Sequence, residues 1–346
     1  MTRIIKSPSQ YIQGKGELKN LAKYVNVLGD SLVLLVDKNI EHIVMPDILM
    51  GMQGVCYEVI SFSGECCMNQ IQHIVETITG NVIVGIGGGK VLDVTKAVAY
   101  YAKLPVVIVP TVASSDAPCS AISVLYTEDG LLDKYLYLPS NPNMVIVDTE
   151  AISKAPARLL VAGMGDALST YFEARMCYKH GLDVSNSALA LACTCYQTLL
   201  EDGKQAYEDC KNKLCTSAVE NIIEANIYLS GIGFESGGLA LAHSISNGLS
   251  QSSKLMHGEK VAYGTLVQLM YEQASELNEV LEFCKQVGLP TTLQELGITI
   301  DQVQEVAKYV SVDIKNYVDI SINWKDIYDT IVALEGYICN YNNHLI

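Results

Sequence analysis

The stretch Val82-Ile83-Val84-Gly85-Ile86-Gly87-Gly88-Gly89-Lys90-Val91-Leu92-Asp93 decides how the chain folds. An apolar strand, predicted over 81–84, runs into four glycines within five residues and then into a helical pattern through Thr95, Lys96, Ala97 and Ala99. A chain that turns from strand to helix in this way presents unpaired backbone N–H groups at the helix start, where they and the helix dipole favour a phosphate. Two familiar phosphate loops are excluded. In Gly-x-Gly-x-x-Gly the third glycine would fall on Lys90. In Gly-x-x-x-x-Gly-Lys-Ser/Thr the first glycine would fall on Val84 and the hydroxyl residue on Val91. The stretch alone is therefore a tight strand-to-helix turn or a phosphate cradle, and Asp93 and Lys96 read equally well as solvated helix residues.

Further strands are predicted around it. Runs over 31–36, 57–62 and 106–109 are apolar on both faces and separated by helix-length spacers, which predicts a parallel sheet covered by helices. A β-hairpin is expected from 121–126 and 134–138 around Thr127-Glu128-Asp129-Gly130, and a last strand at 143–147. Beyond Asp148 helical periodicity takes over at 158–178, 185–200, 218–230, 238–249, 260–274 and 278–287. The expected fold is an α/β N-terminal domain over 1–155 followed by an all-α domain over 156–346, about two domains being normal for 346 residues.

Composition narrows the function. The net charge of −15 repels nucleic acid and anionic membranes, and no basic patch reverses it. No apolar run approaches the roughly 18 residues of a membrane span. Residues 1–11 lack the apolar core of a signal peptide, so a cytoplasmic protein is expected. The 11 cysteines form no Cys-x-x-Cys pair, and they read as reduced thiols rather than a disulfide framework or a four-thiolate zinc site.

Polar residues gather where a doubly wound sheet places ligands, beyond the carboxyl ends of its strands. Asp37 follows the run 31–36, where it either caps the next helix or accepts from ribose hydroxyls and repels a 2′-phosphate. Thr111, Ser114, Ser115 and Asp116 form a polar loop after the run 106–109. The helical half adds Asp166, whose carboxylate needs a partner inside an apolar helix, and two histidines, His243 and His257. On one continuous helix these histidines would stand about 21 Å apart. The break at 248–254 lets a helix-loop-helix turn bring them together, and two imidazoles with one carboxylate make a catalytic zinc or iron set with an open position.

Five stretches together resemble a known family: Gly85-Ile-Gly-Gly-Gly-Lys-Val-Leu-Asp93; Pro110-Thr-Val-Ala-Ser-Ser-Asp-Ala-Pro-Cys-Ser120; Pro156-Ala-Arg-Leu-Leu160 with Gly165-Asp-Ala-Leu-Ser-Thr-Tyr-Phe-Glu-Ala-Arg175; Gly231-Ile-Gly-Phe-Glu-Ser-Gly-Gly238; and His257-Gly-Glu-Lys-Val-Ala-Tyr-Gly264. The chain is similar, over about 5–290, to the bacterial glycerol dehydrogenase branch of the metal-dependent, iron-type alcohol dehydrogenase superfamily. The resemblance implies a dehydroquinate synthase-like architecture, with NAD and Zn²⁺ (or Fe²⁺) in a cleft between an α/β dinucleotide-binding domain and a helical domain. It implies Asp166, His243 and His257 as metal ligands and Asp116 as the residue that meets the polyol. The cofactor contacts it implies are Asp37, Gly87, Gly88, Gly89, Lys90, Asp93, Thr111, Ser114, Ser120, Ile122 and Tyr126. The implied reaction interconverts glycerol, or a related vicinal diol, and dihydroxyacetone, with hydride passing to NAD in an octamer-like homo-oligomer. The sequence departs from the pattern at Ser246 and Lys315, where relatives often carry histidine, and in the chain beyond Leu296. Two other functions fit the same fold: a lyase of the dehydroquinate-synthase type, which needs a basic pocket for a phosphorylated substrate, and a non-catalytic relative.

Overall fold

The protein, a computed structural model, is described for residues 2–250 and 252–343. Its strands among these residues are β1 (Gln10–Gly14), β2 (Ser31–Asp37), β3 (Cys56–Phe62), β4 (Val82–Gly87), β5 (Val106–Pro110), β6 (Ile122–Tyr126), β7 (Leu132–Tyr137) and β8 (Met144–Asp148). Six of them pair in parallel in the order β1-β8-β5-β4-β2-β3, while β6 and β7 form the expected antiparallel hairpin.

The inner strands are apolar on both faces because both faces are covered. Leu32, Leu34, Val36, Val82, Val84 and Ile86 pack into one core, and Val33, Leu35 and Ile83 into the core on the opposite side. Each such side chain contributes about 1.5–3 kcal/mol when fully buried. The edges differ from the sequence expectation. β3 reads as two-faced, yet it closes one edge of the sheet and leaves Tyr57 and Val59 exposed. β1, at the other edge, carries too few apolar residues to stand out as a strand. β4 runs on through Gly87, so the strand includes two of the four glycines.

Chain order creates a crevice. From β2 the chain moves outward to β3 and then returns across β2 to β4, so the winding reverses between β2 and β4, where ligands of doubly wound sheets bind. The register pairs Val36 with Ile86 and sets Asp37 beside Gly87. A Cβ at Gly87 would lie 3.0 Å from the Asp37 Cβ, and one at Gly85 would lie 2.2 Å from Thr95 Oγ1. These glycines thus admit the neighbouring strand end and the helix Gly89–Ala102 at backbone distance.

Asp93 and Lys96 are not solvated. The hairpin covers the face of helix Gly89–Ala102 that a surface helix would leave wet, so Lys96 is 1 % exposed and pairs with Asp93 at 3.3 Å.

No strand follows Asp148 among the described residues. The main helices of this part are Ala157–Lys179, Asn186–Lys211, Ser217–Glu224, Ser230–Gly237, Leu241–Leu249, His257–Tyr271, Leu277–Val287, Ile300–Asp313 and Trp324–Asn343. The helix expected over 218–230 is interrupted by a π-helical turn, Ala225–Leu229. The helix expected from 238 begins at Leu241, because Gly238 takes a left-handed φ of 92° that ends the preceding helix. The break expected at 248–254 lies between the helices Leu241–Leu249 and His257–Tyr271, with Gln251 outside the described residues. None of the cysteines is paired, and no helix among the described residues is long and apolar enough to cross a membrane.

Candidate functional site

Three helices of the second half meet with their backbones nearly in contact. A Cβ at Gly258 would lie 1.8 Å from Ala162 O, and one at Gly264 would lie 2.3 Å from Ala242 O. The glycines of His257-Gly-Glu-Lys-Val-Ala-Tyr-Gly264 therefore let the helix His257–Tyr271 seat against both the helix carrying Asp166 and the helix carrying His243. The two histidine rings come within 5.3 Å, centroid to centroid.

Asp166 is 1 % exposed, and neither of its oxygens accepts a hydrogen bond among the described residues. A buried carboxylate left this way is costly unless a cation meets it. His257 Nε2 stands 3.4 Å and His243 Nε2 3.6 Å from its Oδ1, and one ligand atom from each of the three residues lies within 4.8 Å of the others. Burial opposes ionisation of Asp166, but His257 and then His243 pull its pKa below the ordinary carboxylate value. Burial likewise opposes charge on His243, yet Glu173 and Asp166 raise its pKa well above that of a free imidazole. Desolvation lowers the pKa of His257 against the pull of Asp166; its side chain is 47 % accessible, so solvent softens that effect. One oxygen and two nitrogens converging on orphaned acceptors fit a divalent zinc or iron ion, with room left in its coordination sphere.

Asp116 sits at the start of a short 3₁₀ turn, Ala117–Cys119, and accepts from Ser230 Oγ at 3.2 Å; Ser230 in turn lies 2.9 Å from Thr170 Oγ1. Burial, then the nearby Asp166 carboxylate, push the Asp116 carboxyl well above its usual range. The π-helical turn places Asn226, whose Nδ2 donates to Ala113 O at 2.9 Å and to Leu160 O at 3.0 Å. This amide ties the loop after β5 to the helix of Asp166. Nothing in residues 218–230 reads as a break in the helical pattern, and π-turns of this kind recur at functional sites.

On the sheet side, Gly88 precedes helix Gly89–Ala102, and a Cβ at Gly89 would meet nothing within 4 Å. The first-turn N–H groups lie at the end of β4, beside the β2/β4 crevice, as orphan donors of a helix start. Asp37 closes a local turn, its Oδ1 accepting from Asn39 N at 2.9 Å and Asn39 Nδ2 at 3.1 Å. Thr111 N donates to Gly87 O at 3.0 Å, joining the ends of β5 and β4. Ser114 is partly buried on the same loop. Lys90 is exposed and ion-paired with Glu65, and Asp93 is drawn into its pair with Lys96. Ser120 is buried, and the Lys96 ammonium donates to Ala117 O at 3.0 Å and to Ile122 O, pinning the segment 117–122. Tyr126 ends β6, its phenol pushed up to about 12 by burial and by Asp93.

One residue passed over in the sequence stands out: Glu173, two turns along the helix from Asp166, whose Oε2 lies 2.6 Å from His243 Nδ1. A second carboxylate seven residues on, inside an apolar helix, was the signal for it. Of the two departures, Ser246 is buried with its hydroxyl unpartnered among the described residues, while Lys315 is exposed.

Comparison with known proteins shows the family. The pattern of the iron-containing alcohol dehydrogenase family matches residues 8–149. A glycerol dehydrogenase of Pseudomonas putida is 47 % identical over 317 residues, 87 % of each chain. The crystal structure of glycerol dehydrogenase from Schizosaccharomyces pombe, 36 % identical, superposes with a TM-score of 0.93 over 99 % of this chain and 93 % of that one. A probable glycerol dehydrogenase from Sinorhizobium meliloti 1021, 38 % identical, gives 0.89 over 97 % and 99 %. With likeness of this extent along nearly the whole of each chain, the protein belongs to the iron-containing alcohol dehydrogenase family.

Proposed function

We propose that the protein is an NAD-dependent oxidoreductase that interconverts glycerol, or a closely related vicinal diol, and the corresponding hydroxyketone. The observation that carries this reading is the buried Asp166 carboxylate, whose oxygens accept no hydrogen bond among the described residues and which is flanked by the Nε2 atoms of His243 and His257. The glycerol dehydrogenases to which the chain is similar supply the substrate class.

In this reading residues 1–155 bind the dinucleotide and residues 156–346 carry the metal ligands. The N–H groups at Gly88 to Lys90 receive the pyrophosphate, and the free oxygen of Asp37 accepts from ribose hydroxyls, which favours NAD over its 2′-phosphate. Thr111, Ser114, Ser120, Ile122 and Tyr126 line the path of the cofactor towards the cleft. Asp166, His243 and His257 hold the metal, with Zn²⁺ preferred. The metal, when bound, supplies Lewis acidity towards a substrate oxygen. Asp116 faces the diol. Ser230 and Thr170 hold its orientation.

A substrate panel of glycerol, 1,2-propanediol and 2,3-butanediol with NAD or NADP, followed at the NADH absorbance, tests the reading. We expect substrate-dependent net accumulation of NADH with glycerol among the preferred substrates, and weaker use of NADP. Product formation with no net NADH would instead point to a lyase that regenerates its cofactor. Failure to bind either NAD or Zn²⁺ would point to a non-catalytic relative.

A further inference from the structure

We propose that Glu173 is a positioning residue that fixes the tautomer and orientation of the His243 ring for the metal while it closes the amino end of the helix that carries His243. The inference rests on the reading of Asp166, His243 and His257 as the metal ligands.

Glu173 is fully buried and belongs to the same helix as Asp166, seven residues on, so the two carboxylates lie on one face two turns apart. Its two oxygens have different partners. Oε1 accepts from the backbone N–H groups of Ala240, at 2.8 Å, and His243, at 2.9 Å. These are orphan donors of the first turn of helix Leu241–Leu249, for which no side chain of that helix provides a cap. Oε2 lies 2.6 Å from His243 Nδ1 and 3.0 Å from Ser169 Oγ. With Oε2 as the acceptor, Nδ1 carries the hydrogen, and the ring in its metal-binding form offers its lone pair on Nε2, the atom that faces Asp166. With backbone and ring held by the same rigid group, the imidazole has no freedom to rotate away from the metal position. Partners of this kind commonly tune metal affinity.

The Glu173→Gln variant separates this role from a purely structural one, because an amide keeps the shape but cannot accept on both sides. With its oxygen on the Ala240 and His243 N–H groups, its NH₂ faces Nδ1 and favours the tautomer whose Nε2 is blocked by hydrogen. Zinc affinity, measured on the folded full-length chain by chelator competition with Zn²⁺ alone, is expected to fall about 10- to 100-fold. The thermal midpoint of the metal-free variant should meanwhile stay near that of the wild type. A zinc affinity within threefold of wild type would overturn the proposal, whatever the thermal midpoint does. Wild-type protein that takes up no Zn²⁺ would overturn the ligand reading beneath it. Should the variant fail to fold, nitrogen NMR of the zinc-loaded wild type decides: a protonated Nδ1 on His243 supports the proposal, and ligation through Nδ1 overturns it.

Discussion

The sheet side and the helical side of the candidate site are built by opposite means. The sheet side, from Gly85 to Lys90, is a shape in the backbone: Gly85 admits Thr95 at a distance no side chain would allow, Gly87 admits Asp37 and Val91 closely, and what the turn offers is the N–H groups of a helix start. The helical side is a set of side chains, Asp166, His243 and His257, brought from three helices to within 4.8 Å of one another, with the Asp166 oxygens accepting no hydrogen bond among the described residues. A backbone-built site should fail only where a new Cβ intrudes. A side-chain site should fail with any single deletion.

The largest effect expected is on the helical side. His243→Ala or His257→Ala should lose bound metal, read by elemental analysis, and lower kcat/KM by at least about 1,000-fold, the equivalent of roughly 4 kcal/mol of Lewis-acid stabilisation. Metal retained at full turnover would break the comparison. Next comes a place where the sheet side also depends on a buried charge pair. Lys96→Ala leaves Asp93 buried without its cation and should destabilise the fold by about 3–5 kcal/mol in denaturant unfolding. Asp37→Ala should weaken NAD binding by about 1.5–3 kcal/mol, the worth of hydrogen bonds to a charged group, and narrow the gap between the KM values for NAD and NADP. The smallest effects set the glycines against each other. Gly85→Ala drives a methyl group into Thr95 and should cost about 1–3 kcal/mol. Gly89→Ala meets open space and should change stability by less than about 0.5 kcal/mol, so equal costs at the two positions would refute the role given to shape.

The same contrast explains what the sequence revealed. The sheet side was legible because its signals are contiguous: the apolar runs that became β2, β4, β5 and β8, and the glycines that end β4. What escaped was tertiary in origin. The exposure of β3 depends on its place at the sheet edge, and the burial of Lys96 depends on a hairpin that packs over its helix. On the helical side Asp166, His243 and His257 were visible as polar residues in apolar surroundings, and the helix break between the histidines allowed their meeting. The close crossings at Gly258 and Gly264 that bring the helices together carry no periodic signal. Nor does the π-helical turn that sets Asn226 against Ala113 and Leu160. Glu173 shows the limit most clearly, since its role depends on which nitrogen of His243 it faces, and only the packed structure fixes that.

The central claim, that a metal held by Asp166, His243 and His257 acts on a diol presented to NAD from the sheet side, is tested most directly by glycerol-dependent NADH formation after metal removal. Protein stripped with a chelator should lose turnover and regain it on addition of stoichiometric Zn²⁺ or Fe²⁺, with no recovery in His257→Ala. Undiminished turnover of the demonstrably metal-free protein would contradict the account.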